Sequence, residues 1–117
     1  MNSNLILLKK VKCFALLLDK YLENIPKDDY YYKQEIRSVI KDIIKNVVIV
    51  NTAKNFEDIK IFALTIEGDI SLLNYYLELI MDKKYISERN LKKLTRYIVE
   101  ISKINYAWLE KKSECKL

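Results

Sequence analysis

One glycine and one proline in 117 residues leave almost nothing from which to build tight turns. A multi-stranded fold needs a turn about every 8–12 residues, and such turns draw on Gly, Pro, Asn and Asp. Long helices with few connections are the alternative. Half of the residues are apolar, enough to bury one core at this length. The sequence therefore predicts one all-α domain over residues 1–117.

Apolar periodicity divides that domain into four helices. Leu8, Val11, Ala15, Leu18, Leu22 and Ile25 alternate intervals of three and four, predicting a helix over about 3–24 that stops before Pro26. Ile36, Ile40, Ile43, Val47 and Val50 predict a second over about 31–53. The β-branched run Val47–Val50 would suit a strand alone, but its phase continues the helix. Asn55 is placed to cap a third helix over about 56–82, with its seam at Ile59, Ala63, Ile66, Ile70, Leu73, Leu77 and Ile80. Gly68 inside that pattern marks a bend, a close contact or a short break. Ser87 is placed to cap a fourth, over about 87–112, with its seam at Leu91, Leu94, Ile98, Ile101, Asn105 and Trp108. Short links between such helices predict an antiparallel up-down-up-down four-helix bundle.

More apolar surface is present than one bundle core requires. Leu7, Phe14, Leu17 and Tyr21 form a stripe beside the first seam, Val39, Ile44 and Val48 broaden the second, and Tyr97 and Ile104 flank the fourth. Surplus stripes must be covered or form exposed patches, so these nine residues are the expected interface of a homo-oligomer.

The formal charge of +5 is localised. Residues 1–82 hold 11 Lys/Arg against 12 Asp/Glu, whereas residues 83–112 hold 9 against 3. On the fourth helix Arg89, Lys92, Lys93, Arg96 and Lys103 fall opposite the apolar seam, with Glu100 the one acid among them. A concentrated stripe of this kind suits an anionic partner and makes these five the candidate nucleic-acid-binding residues, although many solvated helices also carry lysines away from their seams. Tyr30, Tyr31 and Tyr32 form the most aromatic run; such rings can stack on bases, and they also line helix starts and subunit contacts.

Catalytic chemistry has little to work with. The chain has no histidine, which removes the Glu-x-x-His pairs of bundle di-metal sites and the usual base for a Ser or Cys nucleophile. One glycine cannot make a phosphate-cradling loop. Glu35, Glu67, Glu78 and Glu100 occur singly and read as solvated helix positions. No catalytic residue, metal or cofactor is expected. Cys13 and Cys115 have neither metal nor redox spacing; Cys13 reads as a small core filler, and both suit a reducing compartment such as the cytoplasm. The start of the chain has lysines inside its apolar run and no small-residue cleavage site after it, so it reads as the first helix rather than a secretion signal. Uncharged stretches are far shorter than the ~20 residues that cross a bilayer, so no membrane association is expected.

Pro26-Lys27-Asp28 after the first helix, then Tyr31 and Arg37, then Ile86-Ser87 opening the last helix, Glu100-Ile101 and Trp108 resemble a pattern in a family of small bacterial and phage four-helix bundles. That family includes the accessory variability determinants (Avd) of diversity-generating retroelements and the proteins encoded in ribosomal-RNA intervening sequences. The resemblance covers nearly the whole chain. It implies a homopentameric barrel whose basic surface binds nucleic acid, partners a reverse transcriptase in mutagenic retrohoming, and has no active site of its own; since the α4 cations, arginine forks apart, are unsuited to reading base edges, RNA, DNA or a hybrid is expected to bind with low sequence specificity. The alternative it implies is a structural or protein-interaction bundle of the intervening-sequence type with no retroelement role.

Overall fold

A computed structural model of the chain describes the backbone of residues 3–116 and the side chains of residues 5–107 and 110. It is all-helical: α1 (Ser3–Leu22), a 3-10 turn (Lys27–Asp29), α2 (Tyr30–Thr52), α3 (Phe56–Asp82) and α4 (Glu88–Lys116). Each helix packs on its neighbours in chain order and α1 closes on α4, leaving α1/α3 and α2/α4 diagonal. Neighbouring helices run antiparallel. Going up α1 from Lys10 to Phe14, the partners on α4 go down from Glu100 to Tyr97. Asp19 meets Arg37 across the first connection, and Glu35 meets Tyr76 across the second. The result is the up-down-up-down bundle, 51 Å along its longest axis.

The ends of the helices follow local chemistry. Asn55 Oδ1 accepts from the Asp58 N–H at 2.8 Å, closing the first turn of α3. Ser87 Oγ accepts from the Asn90 N–H at 3.0 Å and does the same for α4. The end of α3 is a left-handed stop: Lys84 has φ 66°, its N–H donates to the Met81 carbonyl, and Tyr85 N–H reaches back to the Ile80 carbonyl at 2.9 Å. Glycine is the usual residue at such a position because a Cβ is strained there. The run Val47–Val50 is helical, since Val47 and Val50 sit on the seam that α2 buries against its neighbours. Gly68 marks neither a break in α3, which is continuous, nor a close contact, since a Cβ built on it would meet nothing within 4 Å.

The core differs from expectation in the phase of α1. Leu7, Val11, Phe14, Leu18 and Leu22 are buried, while Leu8 and Ala15 are half-buried. The two seams share Val11, Leu18 and Leu22, and a phenylalanine fills the centre where alanine would leave a void. Leu7, Phe14 and Val39, expected at a subunit contact, are thus 3, 2 and 7% exposed within the single chain and belong to its own core. Leu17, Tyr21, Ile44, Tyr97 and Ile104 are half-buried against that core, and Val48 is exposed. Cys13, expected inside, is exposed. Trp108, expected to close the α4 seam, lies outside the described side chains. No helix among the described residues is long and apolar enough to cross a membrane.

Two measurements check this packing. Phe14→Ala should lower stability in urea by roughly 3–5 kcal/mol through reduced burial and the cavity left behind; a drop under about 1 kcal/mol would put Phe14 at a surface. Lys84→Gly should raise stability by up to about 1 kcal/mol by relieving the left-handed backbone, and a decrease would mean that the lysine side chain matters more than its φ.

Candidate nucleic-acid interface

The orientation of α4 decides what its cations face. Leu94, Ile98 and Ile101 are buried on its inner side, which by itself fixes the rotation of the helix only loosely because apolar contact is not directional. Polar contacts on both flanks make it definite. Toward α3, Asn105 Nδ2 donates to the Ala63 carbonyl at 3.0 Å and to Glu67 Oε2 at 2.9 Å, and Ser102 Oγ donates to Glu67 Oε1 at 2.8 Å. Toward α1, Lys10 Nζ donates to Glu100 Oε1 at 3.0 Å, and the rings of Phe14 and Tyr97 lie 6.1 Å apart. Asn105 is almost fully buried and its Oδ1 has no partner among the described residues, so its amide is held from the donor side alone.

With α4 clamped on both flanks, Arg89, Lys92, Lys93, Arg96 and Lys103 all point away from the bundle and all are exposed. None of the five is in an ion pair or cation–π contact among the described residues. Glu100, the one acid on this side between Arg89 and Lys103, is paired with Lys10 from α1. Arg89 to Lys103 spans about 21 Å at 1.5 Å per residue, enough to lie along several phosphates of one strand. The stripe assembled by helical periodicity in the sequence is therefore brought together in space.

The tyrosines expected as alternatives for stacking sit at the end of the bundle where α2 begins. Tyr32 is covered by the Lys83 ammonium, 5.6 Å from its ring centre, and by the edge of Tyr31. Tyr85 OH donates to Asp29, which also pairs with Lys83 at 3.5 Å. That bond, followed by burial, pushes the Tyr85 hydroxyl pKa above its usual value. Tyr32 and Tyr85 therefore tie the two connections together, whereas Tyr30 and Tyr31 are exposed, with the Lys33 ammonium 5.9 Å from the centre of the Tyr30 ring.

Two polar groupings do not show in the periodicity of single helices. Glu67, expected to be a solvated carboxylate, is half-buried and bridges α3 to α4; Glu35 likewise accepts from Tyr76 OH at 3.3 Å. Between α2 and α3, Asp69 faces Asp42, which accepts from the buried Asn46 amide at 3.2 Å and lies 3.8 Å from Lys45 Nζ. The signal available was a polar residue at or beside a seam position, Asn46 and Asn105. Burial first, then the nearby Asp42, raise the Asp69 pKa from 3.8 to about 7, against a smaller pull from Asn46. Among the described residues no group of three or more His, Cys, Asp or Glu is arranged to hold a metal ion.

Comparison with protein families, with curated proteins and with solved structures finds no match to this chain.

The Asp69 shift gives a signed pH dependence. Between about pH 4 and pH 7 the folded chain holds a proton on Asp69 that the unfolded chain has released, so this carboxyl's contribution to stability falls as pH rises through that window and is flat above it. Asp69→Asn should remove that slope and make the variant more stable than the parent at pH 8. Urea midpoints for both chains from pH 4 to 8 check it; parallel curves would show that Asp69 ionises as it does in an unfolded chain.

Proposed function

We propose that the chain is a non-catalytic nucleic-acid-binding accessory protein, working as a homo-oligomer, that holds phosphate backbone along the outward face of α4. The observation that carries this reading is a set of five exposed cations on one helix face, without ion-pair partners among the described residues, whose one interspersed acid, Glu100, is taken up by Lys10. Each cation that meets a phosphate releases condensed counterions, so binding is driven by charge and weakened by salt. Arginine forks apart, nothing on the stripe is shaped to read base edges, so recognition is by backbone and shape, with RNA, DNA or a hybrid as the ligand. The role beside a reverse transcriptase in a diversity-generating retroelement rests on the resemblance carried by Pro26-Lys27-Asp28, Ile86-Ser87, Glu100-Ile101 and Trp108. A reverse-transcriptase gene and a near-identical repeat pair beside the coding gene would support it.

A second reading, a bundle whose task is protein interaction, is favoured by the exposed apolar side chains of α3. The two readings separate in one experiment. Replacing Lys92, Lys93 and Arg96 by glutamine keeps length and helix propensity and removes three charges. Binding to a panel of single- and double-stranded RNA and DNA should weaken at low salt, and the log–log salt slope should shrink by roughly 0.7–0.9 for each phosphate that the variant no longer neutralises. Circular dichroism and oligomer size should stay as in the parent. Equal affinity with an equal slope would make the stripe a solvated surface and leave protein interaction as the function.

A further inference from the structure

A hollow of about 360 Å³ lies between α1 and α4, lined by Ile6, Lys9, Lys10, Cys13 and Tyr97. Of three surface hollows among the described residues, it alone has no acid in its wall: the α1/α2 groove includes Asp19, and the hollow between α2 and α3 includes Glu35, Asp42 and Asp69. Helical spacing explains how its wall is assembled. Ile6, Lys9 and Cys13 recur at intervals of three and four, and Lys20 follows seven residues on, so all four share one side of α1. Residues 3–18 hold no acid, and Asp19 pairs with Arg37 of α2. On α4, Lys93 precedes Tyr97 by four residues, which places the two side by side. Lys9, Lys20 and Lys93 are exposed and in no ion pair among the described residues, so both banks of the α1/α4 groove carry free ammonium groups.

Tyr97 is half-buried, with the buried Phe14 ring behind it at 6.1 Å, so the aromatic wall of the hollow is braced by the core. An aromatic wall with cations on both sides matches a nucleotide, whose base stacks on the ring while its flanking phosphates meet the ammonium groups. A lone anionic amphiphile would use the hollow but not the cations that continue from it along α4, whereas a polyanionic strand uses both. Packed helices lie about 8–10 Å apart, which puts the two banks within reach of one strand. We propose that the α1/α4 hollow is a nucleobase subsite: a single strand held along α4 turns one base into it, onto Tyr97, with Lys93 and Lys9 on the phosphates to either side. The assignment rests on the phosphate-backbone reading of α4 and adds strandedness to it. A duplex keeps its bases paired and stacked, and placing one in the hollow requires flipping it out, so the subsite favours single strands.

Cys13 supplies the test, because it is exposed inside the hollow. In the full chain carrying Cys115→Ser it is the one thiol left. Its rate of alkylation by N-ethylmaleimide, an uncharged reagent, is measured alone and with saturating oligo-dT, oligo-U or a DNA duplex of equal length. Either single strand should slow the reaction at least about tenfold, and the duplex should leave it within about twofold. Tyr97→Leu, which keeps an apolar side chain against Phe14, should weaken single-strand binding at least about fivefold and leave duplex binding unchanged, since stacking on an aromatic ring contributes at least that much per base. Tyr97→Phe should bind as the parent does. Single strands that bind without protecting Cys13, equal protection by the duplex, or a Tyr97→Leu chain that folds and binds single strands as the parent does would each overturn the subsite while leaving the phosphate-backbone reading in place. Absence of binding by every oligonucleotide would overturn both.

Discussion

The structure depends on four apolar seams being buried against one another at the same time. Each helix is long for an isolated peptide but not stable alone, because propensity is a weak force beside tertiary burial. Leu18 on α1, Ile36 on α2, Ile66, Leu73 and Leu77 on α3 and Leu94 on α4 are wholly inaccessible, so each of the four seams places its apolar area inside the same core. Hydrophobic burial of this kind sets which sides face inward but tolerates rotation and sliding. Rotation is fixed by the hydrogen bonds laid over it: Glu67 held by Ser102 and Asn105, Glu35 by Tyr76, Asp19 by Arg37. The outward direction of the α4 cations follows from those side contacts as much as from the seam.

The helices and their ends were legible because their signals are local. Asn55 and Ser87 cap as their spacing implied, and α3 runs over the span its periodicity gave. The phase of α1 was not legible, for a specific reason. Leu7–Leu8 and Phe14–Ala15 are adjacent apolar pairs, and exchanging the member at those two positions turns the seam by less than half of the roughly 100° between neighbouring residues, with Val11, Leu18 and Leu22 in both versions. What decides between them is the volume of Phe14 and the position of Tyr97 on a helix more than eighty residues away. No single helix contains that information.

The cross-helix polar contacts were hidden for a related reason. Periodicity tells how each helix is turned, not which neighbour stands on each flank or in which register. Asp42 and Asp69 lie on different helices and each looks like an ordinary helix acid in the sequence; only the α2/α3 register brings them together, where burial and then Asp42 raise the Asp69 pKa. Glu67 reads the same way until Asn105 and Ser102 are placed opposite it. The cationic stripe escaped this difficulty, because all five of its members are on one helix and need no neighbour to align them.

The Lys10–Glu100 pair makes the charge of α4 partly the property of α1. Both side chains are on the surface, so the pair is worth at most about 1 kcal/mol and is loosened by the same ions that screen phosphate contacts. Loss of Lys10's charge, as by acetylation of its amine, would leave Glu100 unpaired between Arg96 and Lys103 and lower the net positive charge of this face by one, from a helix that carries none of the five cations.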